Sequence, residues 1–359
     1  MQDTRRPRPP WGLLGALALA WAIEGFVARS DWTGPLGWSW RSAREAVAGV
    51  RGCRVLLFGD SQVKVGIAAD RLGVPAYNLA VLRAQPAASA TLLRRALEAG
   101  ARPEAVVLDA FPGLLTDGPR LNGAEWAELL DARGWLDLLR EAPDPMLAAR
   151  ALAHALVPSV EARWSIRPAL RAALAGTPAP ARLAVERADR LAHRGSVVVR
   201  AEGAPLAEAL PALPAGAAGR KNADWWKARP EHRAALRRFC ALAQAHGIRV
   251  YWLWPTHAPA TQARREALGL DEPLAAMVRG LQAEFPNLHV LDVRRAGLDG
   301  ADFYDPNHLN DRGAAALTDA VAAVIGADLH AAPPPGRWLA LRVRPGAAVA
   351  AAPGASRRD

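Results

Sequence analysis

The sequence predicts an α/β fold: a doubly wound, five-stranded parallel sheet between helices, with a mostly helical insertion between the third and fourth strands. Three observations predict it. The runs 54–58 and 105–108 are short, β-rich and apolar, as strands buried on both faces are. They end abruptly in polar or turn residues, at Gly59-Asp60-Ser61 and at Asp109. Helical patterns alternate with such runs, and strand, helix, strand is the order of a parallel sheet.

That fold needs a large core, and 51% of the 359 residues are hydrophobic. This excludes disorder as the state of the whole chain. Two cysteines, Cys53 and Cys240, exclude a disulfide-dense scaffold and a cysteine-based zinc cluster. They are open to two readings, one disulfide in an oxidising compartment or two small buried side chains. The net charge of +10 would suit nucleic acid, but its placement does not. Residues 1–10 hold +2 and residues 331–359 hold +4, so the body is nearly balanced. Nucleic-acid binding is not expected.

In chain order, residues 1–28 read as an export signal. Three arginines precede an uninterrupted apolar run of 13 residues, Trp11 to Ile23. Secretory cores need about 7–15 such residues, and stable spanning helices about 20. The positive flank keeps the start of the chain inside and sends the body out. We read the segment as an uncleaved signal anchor that ties the protein to the membrane. The other outcome is a signal peptide cut after Ala18, Leu19 and Ala20, and the bland reading is a buried amphipathic helix. Residues 29–51 hold Trp32, Trp38 and Trp40 and are expected to form a linker and then a helix at 42–50.

The α/β domain is expected over 52–330. Its strands fall at 54–58, 76–81, 105–108, 248–254 and 287–293. Its helices fall at 87–99, closed by Gly100, at 231–246, closed by Gly247, and at 259–284 and 311–325. The insertion spans about 112–228. Helical patterns cover 123–141, 146–156 and 182–193, Val197, Val198 and Val199 suit a short strand, and 201–220 suits a loop. A loop is also expected at 302–310. Residues 331–359, rich in Ala, Pro, Gly and Arg, form a low-complexity tail with little to bury.

Two short segments carry chemistry. Ser61 follows the first strand, and sites in open α/β sheets form at the carboxyl ends of strands. Asp305 and His308 lie three residues apart before the last helix, with Pro306 between them. That spacing suits a carboxylate on one imidazole nitrogen while the other faces a hydroxyl. A serine needs such help, because a base must take its proton as it attacks.

Together the segments Phe58-Gly59-Asp60-Ser61-Gln62-Val63-Lys64 and Asp305-Pro306-Asn307-His308-Leu309-Asn310 resemble the SGNH (GDSL-type) hydrolase superfamily, whose fold is flavodoxin-like. The resemblance runs from about residue 52 to 326. It is narrowest to a membrane-anchored, extracytoplasmic branch similar to alginate O-acetylation proteins and DltD-like proteins of D-alanyl transfer. It implies Ser61 as nucleophile, His308 as base and Asp305 as its orienting partner. The superfamily also uses a glycine after the second strand and an asparagine after the third to complete an oxyanion hole. Here those places read Tyr77 to Arg83 without glycine, and Leu108, Asp109, Ala110 and Phe111. The backbone N–H of Ser61 and one near 82–84 remain candidates, with Asn78 or the insertion as a third donor. His257 and Asp109, at strand ends, are candidate substrate contacts. Lys64 is a candidate for meeting an anionic substrate, against a solvated helix face. Trp225 and Trp226 suit a sugar ring or ordinary packing.

The expected function is an exported serine esterase or O-acyltransferase acting on cell-envelope or exopolysaccharide acyl groups. Its substrate is an acylated glycan or small ester, and a membrane-bound O-acyltransferase is a possible partner. The histidines are scattered singly, so no metal or cofactor is expected. Two further readings stand beside it: a non-catalytic scaffold in a polysaccharide-modification complex, and a cytosolic lipase-like esterase.

Overall fold

The computed structural model describes residues 11–29, 34–118, 126, 128–141, 144–157, 160, 171, 174–176, 181–200, 226–331 and 334–343. The apolar runs become strands β1 (Val55–Phe58), β2 (Ala76–Asn78), β3 (Ala105–Leu108), β4 (Arg249–Leu253) and β5 (Leu288–Asp292). Two short strands follow, β6 (Phe303–Asp305) and β7 (His308–Leu309), then β8 (Trp338–Ala340). The main sheet has six strands in the order β2-β1-β3-β4-β5-β8, with every neighbouring pair parallel. Every residue of β1 and β3 is buried, as the unbroken apolar runs require of strands covered on both faces. The chain passes from β1 to β2 on one side and returns with β3 on the other. The crevice at their carboxyl ends is therefore a topological switch point, where α/β sheets form sites.

The helices are α1 (Trp11–Arg29), α2 (Gly34–Ala46), α3 (Ser61–Gly66) and α4 (Pro86–Glu98). The insertion adds α5 (Pro112–Thr116), α6 (Ala132–Glu141), α7 (Pro145–Leu156) and α8 (Ala181–Ala192). The sheet domain resumes with α9 (Pro230–Ala245), α10 (Pro259–Ala267), α11 (Glu272–Glu284) and α12 (Asp311–His330). Helices α4 and α9 pack together, and α12 runs against α3. The insertion has its own small core of Trp126, Leu130, Leu138 and Leu147, seated on Ala87 of α4 and Ala235 of α9. Along α1 the side chains of Trp11, Leu13, Leu17, Trp21 and Phe26 are exposed. Among the described residues no helix is long and apolar enough to cross a membrane.

The structure corrects several expectations. The sheet has six strands rather than five, and the sixth comes from the supposed tail, so the domain extends past 330 to include β8. Trp338 carries this strand. Its Nε1 donates to Asp292 (2.9 Å), its ring meets that of Trp254 at 5.5 Å, and the Arg279 guanidinium sits 5.1 Å from its centre. The helix expected at 42–50 starts earlier, at Gly34 within the expected linker, ends at Ala46 and continues as a 3₁₀ turn, Val47–Gly49. The expected helix over 259–284 is two helices, broken around Gly269, whose φ of 63° is left-handed. The loop at 302–310 contains the antiparallel pair β6–β7. Val197 to Val199 form no strand, although the Val197 N–H donates to the Lys64 carbonyl and Val199 accepts from Asp311. The expected loop at 201–220, Trp32 and Trp225 lie outside the described residues.

Candidate active site

The turn after β1 is built around Gly59. Its φ is 123°, and a Cβ there would lie 1.6 Å from Asp109 Oδ1. Only glycine fits, and it redirects the chain so that α3 starts at Ser61. Asp60 caps that helix: its carboxylate accepts from the N–H of Gln62 (2.8 Å) and of Phe111 (2.9 Å). Its own N–H donates to Asp109 Oδ1 (2.9 Å). Both carboxyls are fully buried, and burial pushes both above the ordinary carboxylate range. Asp109 goes well above it, because the neighbouring Asp60 charge adds to its desolvation.

The second segment is the turn joining β6 to β7. Asp305 Oδ1 accepts from the N–H groups of Asn307 (2.8 Å) and His308 (2.9 Å). Its Oδ2 lies 2.7 Å from His308 Nδ1, and His308 Nε2 lies 2.8 Å from Ser61 Oγ. An unbroken row from carboxylate to imidazole to hydroxyl thus joins residues 247 apart in sequence. Burial raises the Asp305 carboxyl, but the bond from His308, the two N–H donors and the His308 charge outweigh it and hold the group below its usual range. It is therefore ionised, and the imidazole is oriented with Nδ1–H toward it and an Nε2 lone pair toward Ser61. Asn310 fixes the following turn, capping α12 through the Gly313 N–H and donating to the Ala301 carbonyl.

The loop after β4 closes the arrangement. Gln62 Oε1 accepts from the N–H (2.9 Å) and hydroxyl (2.7 Å) of Thr256, and Gln62 Nε2 donates to the Asn307 carbonyl (2.6 Å). His257 Nδ1 bonds Asn307 Oδ1 (2.9 Å), and its ring meets Phe111 edge-on at 5.9 Å. Burial, helped by Arg265, pushes His257 down to about 4, so it is neutral at physiological pH. The Ala258 N–H donates to the Pro306 carbonyl. Beside Ser61, the Val81 N–H bonds the Gly59 carbonyl, and the next turn holds Arg83 at a left-handed φ of 63°. Among the described residues no acceptor meets the N–H of Ser61, Leu82 or Arg83.

No protein-family model matches this chain, and no curated protein matches it. What the site can do is therefore read from its geometry.

The structure brings Ser61, His308 and Asp305 together and sets His257 against the β6–β7 turn. It removes Asn78 as an oxyanion donor. The Asn78 amide nitrogen is spent on the carbonyls of Val63 and Ile67 and on Ser196 Oγ, and its oxygen accepts from the Ala80 N–H. Asn78 pins α3 to β2. Asp109 is likewise no substrate contact, since it lies buried beneath the Gly59 turn. Lys64 is 3% exposed, neither a solvated face nor an open contact for an anionic substrate. Trp226 is packing: it is buried, with Nε1 donating to the Pro112 carbonyl. Cys53 and Cys240 are both free thiols. Among the described residues no group of three or more His, Cys, Asp or Glu side chains is placed to hold a metal. A cavity of about 280 Å³ lined by Pro103, Glu104, Ile248 and Arg249 lies at the amino ends of β3 and β4, away from this row.

Sequence reasoning missed Gln62, Thr256 and Asn307. Their signal was slight: a glutamine beside Val63 and Val65 on a short helix, and two polar residues each just before a histidine.

Proposed function

We propose that the chain is a serine esterase or O-acyltransferase of the SGNH type, acting on O-acyl groups of cell-envelope or exopolysaccharide glycans through a covalent Ser61 ester. The observation that carries this reading is the row Asp305–His308–Ser61, with both contacts at 2.7–2.8 Å. In it, His308 Nε2 takes the Ser61 proton as Oγ attacks the acyl carbonyl, and Asp305 stabilises the imidazolium. The oxyanion is met by the unengaged N–H groups of Ser61 and of Leu82 or Arg83 in the turn beside it. When the tetrahedral intermediate collapses, the C–O bond to the alcohol breaks and His308 returns the proton to the leaving oxygen. A second hydroxyl, of water or of a sugar, then gives its proton to His308, attacks the Ser61 ester and restores the serine.

The left-handed Arg83 supports an oxyanion role for that turn. A non-glycine residue held there costs about 1–3 kcal/mol, and such strain clusters at functional sites. The exposed apolar side chains of α1 support the anchor reading, with the body outside the cytoplasm and a membrane-bound O-acyltransferase as partner. Labelling of the folded protein with a fluorophosphonate probe tests the chemistry. An adduct on Ser61, absent from Ser61→Ala, is expected. No adduct would favour the non-catalytic scaffold. An alkaline-phosphatase fusion after residue 40 tests the location and is expected to be active.

A further inference from the structure

The nucleophile is flanked by two buried side chains that fasten it in different directions. Asp60 ties the turn to the end of β3. Gln62 ties α3 to the end of β4 through Thr256 and to the base turn through Asn307. The orientation of the Gln62 amide is dictated by its partners. The Thr256 N–H is only a donor and the Asn307 carbonyl only an acceptor, so oxygen must face the first and nitrogen the second.

We propose that Gln62 is a positioning residue that sets the approach of His308 to Ser61. The proposal rests on the serine-enzyme reading above. Its ground is a closed ring. Ser61 and Gln62 are adjacent in sequence, as are Asn307 and His308, and the two pairs are joined by two cross-links, Ser61 Oγ to His308 Nε2 at 2.8 Å and Gln62 Nε2 to the Asn307 carbonyl at 2.6 Å. Slack in the second cross-link passes directly to the first. Asn307 and His308 are also held by Asp305, and His257 and Ala258 hold Asn307 and Pro306 to the β4 loop. Those bonds orient the base turn. Gln62 alone among these groups joins that turn to the helix carrying the nucleophile, and Thr256 keeps its amide from rotating away.

Gln62→Met keeps the volume and deletes all three bonds. It is expected to lower both kcat on a small aryl acetate and the rate of fluorophosphonate labelling by about 10- to 100-fold, the scale of a misplaced catalytic pair. KM is expected to stay within about twofold, because Gln62 does not touch substrate. A residue with only a structural role would lower the melting temperature and leave the labelling rate of the folded protein unchanged. Thr256→Val, which keeps the backbone N–H donor and removes the hydroxyl, is expected to lose about three- to tenfold, one hydrogen bond's worth. It decides the matter where Gln62→Met does not fold. Wild-type protein that labels, beside a folded Gln62→Met or a Thr256→Val that labels equally fast, overturns this proposal alone. Wild-type protein that takes no label overturns the serine-enzyme reading and this one with it.

Discussion

Replacing Gly59 with alanine tests the construction of the turn that carries Ser61, and its cost can be worked from two parts. The first is steric. The new Cβ would sit 1.6 Å from Asp109 Oδ1 and 2.8 Å from its Cγ, whereas a relaxed contact needs about 3.5 Å. The carboxyl must therefore retreat by roughly 2 Å. That move breaks the 2.9 Å bond from the Asp60 N–H and leaves a buried donor unpaired, which costs about 1–3 kcal/mol. The second part is conformational. A φ of 123° is nearly closed to alanine, for about 1–3 kcal/mol more. The sum is about 2–6 kcal/mol against a total stability of about 5–15 kcal/mol, so the variant folds poorly or melts early. Thermal denaturation followed by circular dichroism is expected to show a fall of roughly 5–20 °C. The two parts separate in an Asp109→Ala background. There the carboxyl is absent and Gly59→Ala is expected to cost the conformational share and the remaining 3.0 Å contact with the backbone nitrogen of residue 109, and so less than in wild type. A single Gly59→Ala variant melting within about 2 °C of wild type would refute the packing argument.

Three further outcomes follow from the site. Asp305→Asn removes the acceptor that fixes the His308 tautomer, and kcat on an ester is expected to fall by about 100- to 10,000-fold with KM little changed, measurable by steady-state hydrolysis. Asp109 has a raised carboxyl, so it favours folding fully below its unfolded value of 3.8 and loses that contribution as pH rises toward its folded value. Asp109→Asn keeps an acceptor for the Asp60 N–H and cannot ionise. Urea titrations are therefore expected to show its stability relative to wild type rising with pH above 3.8, by up to about 1.4 kcal/mol per pH unit, and a flat difference would count against the buried pair. His257 behaves oppositely: its value falls from 6.5 to about 4, so its contribution is full above 6.5 and is lost as pH drops toward 4. In His257→Asn, whose amide N–H can replace Nδ1–H, that acid-side loss of up to about 3 kcal/mol is expected to vanish from the same titrations.

What the sequence made legible depended on how local the cause was. Strands β1 and β3 stand out because burial on both faces leaves an unbroken apolar run. The break between α10 and α11 was visible in Gly269 and Pro273, whose signals the surrounding helical pattern outweighed. β8 was hidden because its stability comes from Trp338 contacts with Trp254, Arg279 and Asp292, while the Pro- and Ala-rich stretch around it averages to a tail. Ser61 and the Asp305–His308 pair were legible because each sits at a turn whose spacing fixes its geometry. Asn78 and Asp109 were misread because a place at a strand's carboxyl end predicts nearness to the crevice and says nothing of direction. Gln62 was illegible because its partners lie 194 and 245 residues away.

The strand order explains why so much bonding surrounds a row of three side chains. β1 and β5 are three strand spacings apart, roughly 14 Å, and the β6–β7 turn follows β5 while Ser61 follows β1. The β6–β7 turn must therefore reach back across the ends of β4 and β3 to meet Ser61. Each intervening end is used as a support. Phe111 and Asp109, after β3, hold Asp60. Thr256, after β4, holds Gln62, while His257 and Ala258 hold Asn307 and Pro306. The residues after β4 are thus the bridge on which Ser61 and His308 are both aligned. Because the chain supplies β1 before the insertion and β4 and β5 after it, the hydroxyl meets its base only when the whole sheet has closed. Reactivity of Ser61 toward a fluorophosphonate should then disappear in the same cooperative transition that unfolds the sheet, and labelling that outlasts that transition in urea would show that the hydroxyl is activated by something nearer than the β6–β7 turn.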